Sequence, residues 1–274
     1  MLTIAQLTWL EARRRRIMIA ALLCGLAFLL VFAVSVYFGQ QHGGVSPKPL
    51  LLQQVQLQIV TLAGLYAVNF LVVAIAVMLP VDSLSGEISS GVIQTIASKP
   101  IRRAEIVIGK WLVYWVMIAV YIVLLAGGVA LLMRLITGFT QHHLPVAIAL
   151  MWLEATVLLC VTIAGGVRFT TVTNGIIAFA FYVVAFFGGW IEQIGVLLGN
   201  SSARYIGTAI SLMSPTDALW RLAMHLLQPP VMGQVILTPF SPASVPSAAM
   251  VWWAMGFAIV VLATAVRGFQ NRAL

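Results

Sequence analysis

The stretch SGEISSGVIQTIASKPIRR, residues 85–103, decides how this chain folds, because it is a polar insert between two strongly apolar runs. Residues 59–81 precede it and residues 111–133 follow it, and each run is long enough to cross a bilayer as a helix. Irregular backbone is excluded from lipid hydrocarbon, so the insert must lie at a membrane surface. It therefore divides the chain into membrane spans and surface connections.

The composition is that of an integral membrane protein. Of the 274 residues 62% are hydrophobic and only 8% are charged, whereas soluble domains have about 25% charged residues. The first apolar run has 22 residues, more than a signal-peptide core, so we expect it to remain as a span. The sequence predicts an all-α membrane protein of one domain, residues 1–274, with six transmembrane helices. The predicted spans are residues 17–38, 59–81, 111–133, 145–167, 170–190 and 248–266.

The placement of the basic residues predicts the orientation. If the N-terminus is cytoplasmic, eleven of the 15 lysines and arginines lie on the cytoplasmic side. Cytoplasmic connections of membrane proteins are enriched in these residues, so we expect both termini in the cytoplasm. The net charge of +8 is then explained by membrane topology and by contact of the basic residues with anionic lipid. A nucleic-acid partner is not needed to explain it.

Residues 1–16 and 191–247 are predicted to have structure outside the spans. The first segment places Ile4, Leu7 and Leu10 about one turn apart, which predicts an interfacial helix on the membrane surface. The second lies on the extracytoplasmic side and is too long for a simple connection. We expect it to be partly helical.

A short amphipathic helix is predicted within that second segment. Ser214 is expected to cap it, Arg221 to lie on its polar face, and Pro229 to end it. Two other apolar pieces, IEQIGVLLGN and YIGTAISLM, are too short to cross a membrane alone. We expect them to form re-entrant or interfacial helices.

The insert belongs to the longest cytoplasmic connection, residues 82–110. Its apolar residues Ile88, Val92 and Ile96 recur at helical spacing, and Pro100 ends the pattern. A helix lying across the ends of two spans would let another protein push both spans. The alternative is a solvated loop whose basic side chains anchor at the headgroups.

The longer run SGEISSGVIQTIASKPIRRAEIVIGK resembles the signature of type-2 ABC exporter permeases. In that family a glutamate, a glycine four residues on, a proline, a basic residue and a Gly-Lys pair precede the third span. Here the matching residues are Glu87, Gly91, Pro100, Arg102, Gly109 and Lys110. The resemblance implies a cytoplasmic coupling helix that docks on an ATPase subunit. The ATPase-coupling residues it implies are Glu87, Ile88, Gly91, Val92, Gln94, Pro100 and Arg102.

The segment LMSPTDALWRLAM is also similar to the corresponding segment in permeases of the nitrous-oxide-reductase maturation type.

The resemblance implies a function as well. It implies a permease subunit of an ATP-driven exporter in the bacterial cytoplasmic (inner) membrane, paired with a second copy or a paralogous permease. The apolar spans favour a lipid-like or amphipathic substrate. The chain's Gly109-Lys110 is followed by Trp111 rather than Ser or Thr, so it forms no P-loop. We expect no cofactor in this chain, and ATP and Mg bound by the partner ATPase.

Two alternatives remain open at this point. The first is an ABC-type permease that transmits ATPase motion to an extracytoplasmic protein, for maturation or signalling and possibly linked to a metal site. The second is an ion-coupled secondary transporter, although such proteins usually carry more intramembrane polar groups.

Few side chains suggest chemistry inside the membrane. Glu154 is the one ionisable residue within the predicted spans, so it must face protein or water. It is a candidate for the translocation path or a gate, together with Asn69. The alternative is a structural role, either a hydrogen bond with a neighbour such as Asn69 or a pair across a subunit interface. His142 and His143 are weak metal candidates. No catalytic residue is predicted.

Overall fold

In a computed structural model of the protein, the described residues are 6–10, 16–41, 50–90, 103–141, 143–228 and 244–271. All regular secondary structure in these ranges is helical. Residues 6–10 are helical, which covers part of the predicted interfacial helix. The remaining helices are α1 (Arg16–Gln41), α2 (Leu50–Met78), α3 (Ser85–Ser89), α4 (Arg103–Thr137), α5 (Leu144–Arg168), α6 (Thr171–Leu197), α7 (Ser201–Met213), α8 (Thr216–Leu227) and α9 (Ala249–Gln270).

Six of these helices, α1, α2, α4, α5, α6 and α9, are long and apolar enough to cross a membrane. This confirms the predicted all-α architecture with six spans. The helix ends differ from the predicted span ends by up to nine residues, since α2 begins at Leu50 and α4 at Arg103. Helix α2 ends at Met78 rather than at residue 81, followed by a turn in which Ser83 N donates to Pro80 O. Helix α6 continues to Leu197, so most of the piece IEQIGVLLGN is the end of this helix and not a separate one. Gly195 stays helical, and the chain turns at Gly199, whose φ is +64°.

Helix α5 lies at the centre of the bundle. It packs against α2, α4, α6, α8 and α9, and its buried face runs through most of its length. Helix α1 lies at the edge, against α2 and α4, and exposes most of its side chains. The spans bury small and branched apolar side chains against α5, so α5 is the element on which the other helices are positioned.

Helices α6 and α7 form an antiparallel hairpin. A Cβ on Gly195 would lie 2.8 Å from Arg204 N, and one on Gly188 would lie 2.3 Å from Ile210 Cγ2. At the far end of α7, Ser214 Oγ donates to Phe181 O, at 3.3 Å. Phe181 is 16 residues before the end of α6, which is about 24 Å along the helix axis. The short α7 therefore returns from the end of α6 to its middle, as a re-entrant helix does.

Helix α8 then runs back toward the connection between α4 and α5. Its Trp220 packs edge-on against Tyr66 in the middle of α2, with ring centroids 5.1 Å apart. At its end, Leu227 O accepts hydrogen bonds from Gln58 Nε2, at 2.8 Å, and Gln141 Nε2, at 2.5 Å. The α7–α8 pair thus enters the bundle and leaves it on the same side.

One sequence prediction for α8 was wrong, and a second held in an unexpected setting. Ser214 does not cap this helix, since the N-cap residue is Pro215 and no side chain caps it. Arg221 lies on the predicted polar face, but α8 packs against α5 and α6, so Arg221 is only 3% exposed. His225 on the same face is exposed, so the polar face is buried at Arg221 and open at its end.

Candidate coupling site and buried polar clusters

The predicted coupling connection is held together at its base by an ion pair. Glu87 lies in α3 and pairs with Lys110 Nζ in α4. The same Nζ donates to Ser83 O, at 2.7 Å. The two side chains are 14% and 4% exposed respectively. Since Glu87 stands near the start of the connection and Lys110 at its end, the pair ties the end of α2 to the first turns of α4.

The same base is bonded to the start of α6. Thr171 Oγ1 donates to Asp82 Oδ1, at 2.9 Å, and shares a 2.8 Å hydrogen bond with Ser85 Oγ. Asn174 Nδ2 donates to Val81 O and to Thr162 O, at 3.2 and 2.9 Å. The base of the connection is therefore fixed to α2, α4, α5 and α6 at once.

The hydrogen bonds of Asn174 require the space that Gly165 leaves by having no side chain. A Cβ on Gly165 of α5 would lie 2.1 Å from Asn174 Oδ1, a distance that no side chain tolerates. The absence of that Cβ lets Asn174 approach the α5 backbone closely enough to bond Thr162 O. Asn174 is 1% exposed, so its hydrogen bonds replace those it would make to water.

The implied coupling residues divide into two groups. Glu87 and Ile88 lie in α3, and Ile88 is half-buried against the core. The others, Gly91, Val92, Gln94, Pro100 and Arg102, lie outside the described residues, as does most of the predicted amphipathic helix. Their roles stay predictions.

Asn69 and Glu154 are buried together between α2 and α5. Asn69 Nδ2 donates to Glu154 Oε1, at 3.3 Å, and the two residues are 2% and 1% exposed. Among the described residues neither Asn69 Oδ1 nor Glu154 Oε2 has a hydrogen-bond partner. The hydrogen bond that sequence analysis gave as the structural alternative is thus present.

A larger polar cluster, which we call the outer cluster, joins α6, α7, α8 and the approach to α9. Its members are Glu192, Ser211, Asp217, Arg221 and Ser244. Arg221 Nη2 lies 3.0 Å from Glu192 Oε2, and Arg221 Nε lies 2.9 Å from Asp217 Oδ2. Arg221 Nη2 also donates to Ser211 Oγ, at 3.1 Å, and Ser244 Oγ donates to Glu192 Oε1. One guanidinium therefore bridges two carboxylates from different helices.

Sequence analysis missed the outer cluster, although two signals pointed to it. Asp217 and Arg221 are four residues apart, the spacing of a helical ion pair. The pair Gly188-Gly189 lies within an apolar run, and a Cβ on Gly189 would lie 1.7 Å from Asp217 Oδ2. Paired glycines inside a span indicate a close approach by another helix.

A metal site is not seen among the described residues, which hold no group of three His, Cys, Asp or Glu side chains placed to bind an ion. His143 is described and lies at the start of α5 with a φ of +58°. Its neighbour His142 is outside the described residues. The metal candidates therefore stay predictions.

Comparison with known proteins gives one positive result. The family model described as "ABC-2 family transporter protein" matches residues 2–274. No curated protein matches the chain at a significant level.

Proposed function

The chain belongs to the ABC-2 transporter family, and from this we propose that it is the permease subunit of an ATP-driven exporter. Family membership makes it a multi-pass membrane subunit of an ABC transporter and implies an ABC ATPase partner. Export as the direction, and a lipid-like or amphipathic cargo, belong to the proposal. The apolar character of the spans supports that cargo.

The ATPase subunit docks on residues 82–110, and it binds the ATP and Mg. The observation that carries this part of the proposal is the bonding at the base of that connection. Glu87, Asp82 and Val81 are linked to Lys110, Thr171 and Asn174 respectively. A displacement of residues 81–87 is therefore transmitted to α2, α4 and α6 together.

The protein works as a dimer, either of two copies or with a paralogous permease. When the ATPase subunits close on ATP, they displace the two coupling connections, and each connection moves the spans attached to it. Helix α6 also carries the re-entrant α7 and α8, so its movement shifts the extracytoplasmic side of the bundle. This opens a path beneath residues 191–247.

The proposed location is the bacterial cytoplasmic (inner) membrane, with both termini in the cytoplasm. Described arginines Arg16, Arg103, Arg168 and Arg267 lie at helix ends that share one side of the bundle in this topology. That distribution supports the orientation by the positive-inside rule.

A second candidate function is favoured by one observation. The tip of the α6–α7 hairpin exposes large apolar side chains, with Leu198 76% and Tyr205 75% exposed. Such a tip is suited to contact an extracytoplasmic protein, and the chain would then transmit ATPase motion to that partner. In this version the spans move without carrying a substrate.

The test is a pull-down from mildly solubilised membranes with the chain tagged, followed by an assay of the eluate for ATP hydrolysis. Wild type is compared with Glu87→Arg, which places two cations side by side, and with the double variant Glu87→Arg/Lys110→Glu, which restores an ion pair of opposite polarity. Arg204→Glu, an exposed change on α7, serves as the matched control. Co-purification of an ATPase with wild type and Arg204→Glu is the expected result.

The variants separate two roles of Glu87. If Glu87 acts through the ion pair, Glu87→Arg loses the ATPase and the double variant regains it. If Glu87 contacts the ATPase directly, both variants lose it. Failure to recover any ATPase with wild type, under conditions that keep the permease dimeric, would contradict the proposed function.

A further inference from the structure

Helices α4, α5 and α9 enclose a groove of about 290 Å³ on the flank of the bundle. Three tryptophans stack along one wall. The rings of Trp115 and Trp152 are 4.1 Å apart and those of Trp111 and Trp115 are 5.6 Å apart. The opposite wall is formed by Met255, Ala258, Ile259 and Leu262 of α9.

The polar atoms that line the groove are hydrogen-bonded to other lining residues. Trp111 Nε1 donates to Cys160 Sγ, at 3.3 Å, and Trp152 Nε1 donates to Trp115 O, at 3.2 Å. Trp115 Nε1 donates to Thr156 Oγ1, at 3.0 Å, and that hydroxyl donates to Trp152 O. Each indole N–H is satisfied, so an occupant finds aromatic faces and aliphatic carbon but no indole donor. These walls select hydrocarbon over a polar ligand.

All the lining residues lie at least five residues inside the ends of α4, α5 and α9, in the part of these helices long and apolar enough to cross a membrane. Two of them, Ala149 and Ile259, are exposed, so the groove is open on the flank of the bundle. Apolar cavities do not hold water, and they take up apolar molecules. The solvent available at this rim is the hydrocarbon of the bilayer itself.

An arginine lies near one end of each helix that lines the groove, at a common level. Arg103 is eight residues from Trp111 in α4 and Arg168 is eight residues from Cys160 in α5, which is about 12 Å along each helix. Arg267 is five residues beyond Leu262 in α9, about 7.5 Å. Arg103 Nη1 donates to Gln270 O, at 3.2 Å, which places the ends of α4 and α9 side by side.

We propose that the groove binds one acyl chain of an anionic phospholipid whose phosphate lies at the level of these three arginines. The chain enters from the leaflet next to the arginines and lies against the tryptophan stack. Basic residues near a membrane surface attract anionic headgroups, and the separation of about 12 Å leaves room for the headgroup and the first part of the chain. The groove is formed by three helices of one subunit, so binding can be measured without the ATPase partner.

The groove's tryptophans make the proposal testable by fluorescence. The purified protein is placed in phosphatidylcholine nanodiscs containing increasing fractions of phosphatidylglycerol with dibrominated acyl chains, which quench nearby indoles. The expected result for wild type is quenching that saturates at a low fraction of brominated lipid. Ala258→Phe fills the groove nine residues, or about 13.5 Å, from Arg267 and removes the saturating component. Arg267→Gln lowers the affinity for the anionic lipid about fivefold, so a larger fraction of brominated lipid is needed for half-saturation. This is the effect expected for one basic residue near an anionic surface.

Matched variants keep the result interpretable. Ala263→Phe adds the same bulk to an exposed position of α9, and Arg204→Gln removes an exposed arginine elsewhere. Both should behave as wild type. Ala258→Leu provides a smaller filling change if the phenylalanine variant does not give a monodisperse protein. Quenching that rises in proportion to the brominated fraction, equally in wild type and Ala258→Phe, would overturn the site. Equal saturation with brominated phosphatidylcholine would overturn the anionic headgroup.

Discussion

The ion pair at the base of the coupling connection and the outer cluster are both buried, yet their charges balance differently. In the ion pair at the base, Lys110 Nζ contacts Glu87 and a backbone oxygen. In the outer cluster, Arg221 faces two carboxylates, Glu192 and Asp217. The first arrangement is neutral as a pair. In the second, Arg221 is the cation that the described part of the chain places against both buried carboxylates.

The two regions also differ in what they join. Glu87 and Lys110 are 23 residues apart in the chain, so their pairing closes one connection. The outer cluster brings together α6, α7, α8 and Ser244 before α9. A fault at the base should therefore loosen one connection, whereas a fault in the outer cluster should release the whole re-entrant unit.

The largest effect is expected from Arg221→Met. This change leaves Glu192 and Asp217 buried without their cation, and removing one partner of a buried ion pair costs about 3–5 kcal/mol. Unfolding in detergent, followed by circular dichroism, should show a much lower midpoint. Arg204→Met, at an exposed position of α7, is the control and should leave the midpoint unchanged. A midpoint for Arg221→Met equal to the control's would show that the cluster does not hold the hairpin.

A smaller effect is expected from Lys110→Met. Glu87 loses its cation, but its side chain is 14% exposed and can gain water, so the cost should be about 1–3 kcal/mol. The same unfolding measurement applies, and Lys110→Arg should recover most of the loss because it keeps the charge. A greater loss of stability in Lys110→Met than in Arg221→Met would contradict the expectation that the outer cluster contributes more than the ion pair at the base.

Glycine substitutions compare the two regions by packing instead of charge. Gly189→Ala places a Cβ 1.7 Å from Asp217 Oδ2, and Gly165→Ala places one 2.1 Å from Asn174 Oδ1. Each should destabilise the protein by about 1–3 kcal/mol through overpacking. Gly127→Ala, with nothing within 4 Å of its Cβ, is the matched control. It should be neutral or stabilising, since alanine favours a helix by up to about 1 kcal/mol over glycine.

The smallest effect is expected from Glu154→Gln. The amide keeps an oxygen for Asn69 Nδ2 and adds a donor that suits Asn69 Oδ1, so stability should change by less than about 1 kcal/mol. Glu154→Leu offers Asn69 neither an acceptor nor a donor, so it should lower the stability by more. Unfolding midpoints test this, and transport assays test the proposed path. Loss of transport in Glu154→Gln with unchanged stability would support a role in the path or gate, whereas normal transport in both variants would leave Glu154 as a structural residue.

The coupling connection illustrates what local pattern can predict. The order of Glu87, Pro100 and Lys110 between two apolar runs indicated both the surface location and the family. It did not indicate that Glu87 pairs with Lys110, because the partner of a side chain depends on where the intervening chain returns. Asn174 is a similar case: nothing in its local sequence shows that Gly165 leaves room for it.

By itself the sequence determined the fold class, the six spans and the family. Hydrocarbon accepts only long apolar helices, so run length and basic charge are sufficient to count the spans and predict their orientation. Only the tertiary structure decided where the amphipathic helix α8 lies. An amphipathic pattern specifies that a polar face needs polar partners, but water, lipid headgroups and buried carboxylates all meet that need. Here Glu192 and Asp217 bind Arg221, so the helix lies inside the bundle.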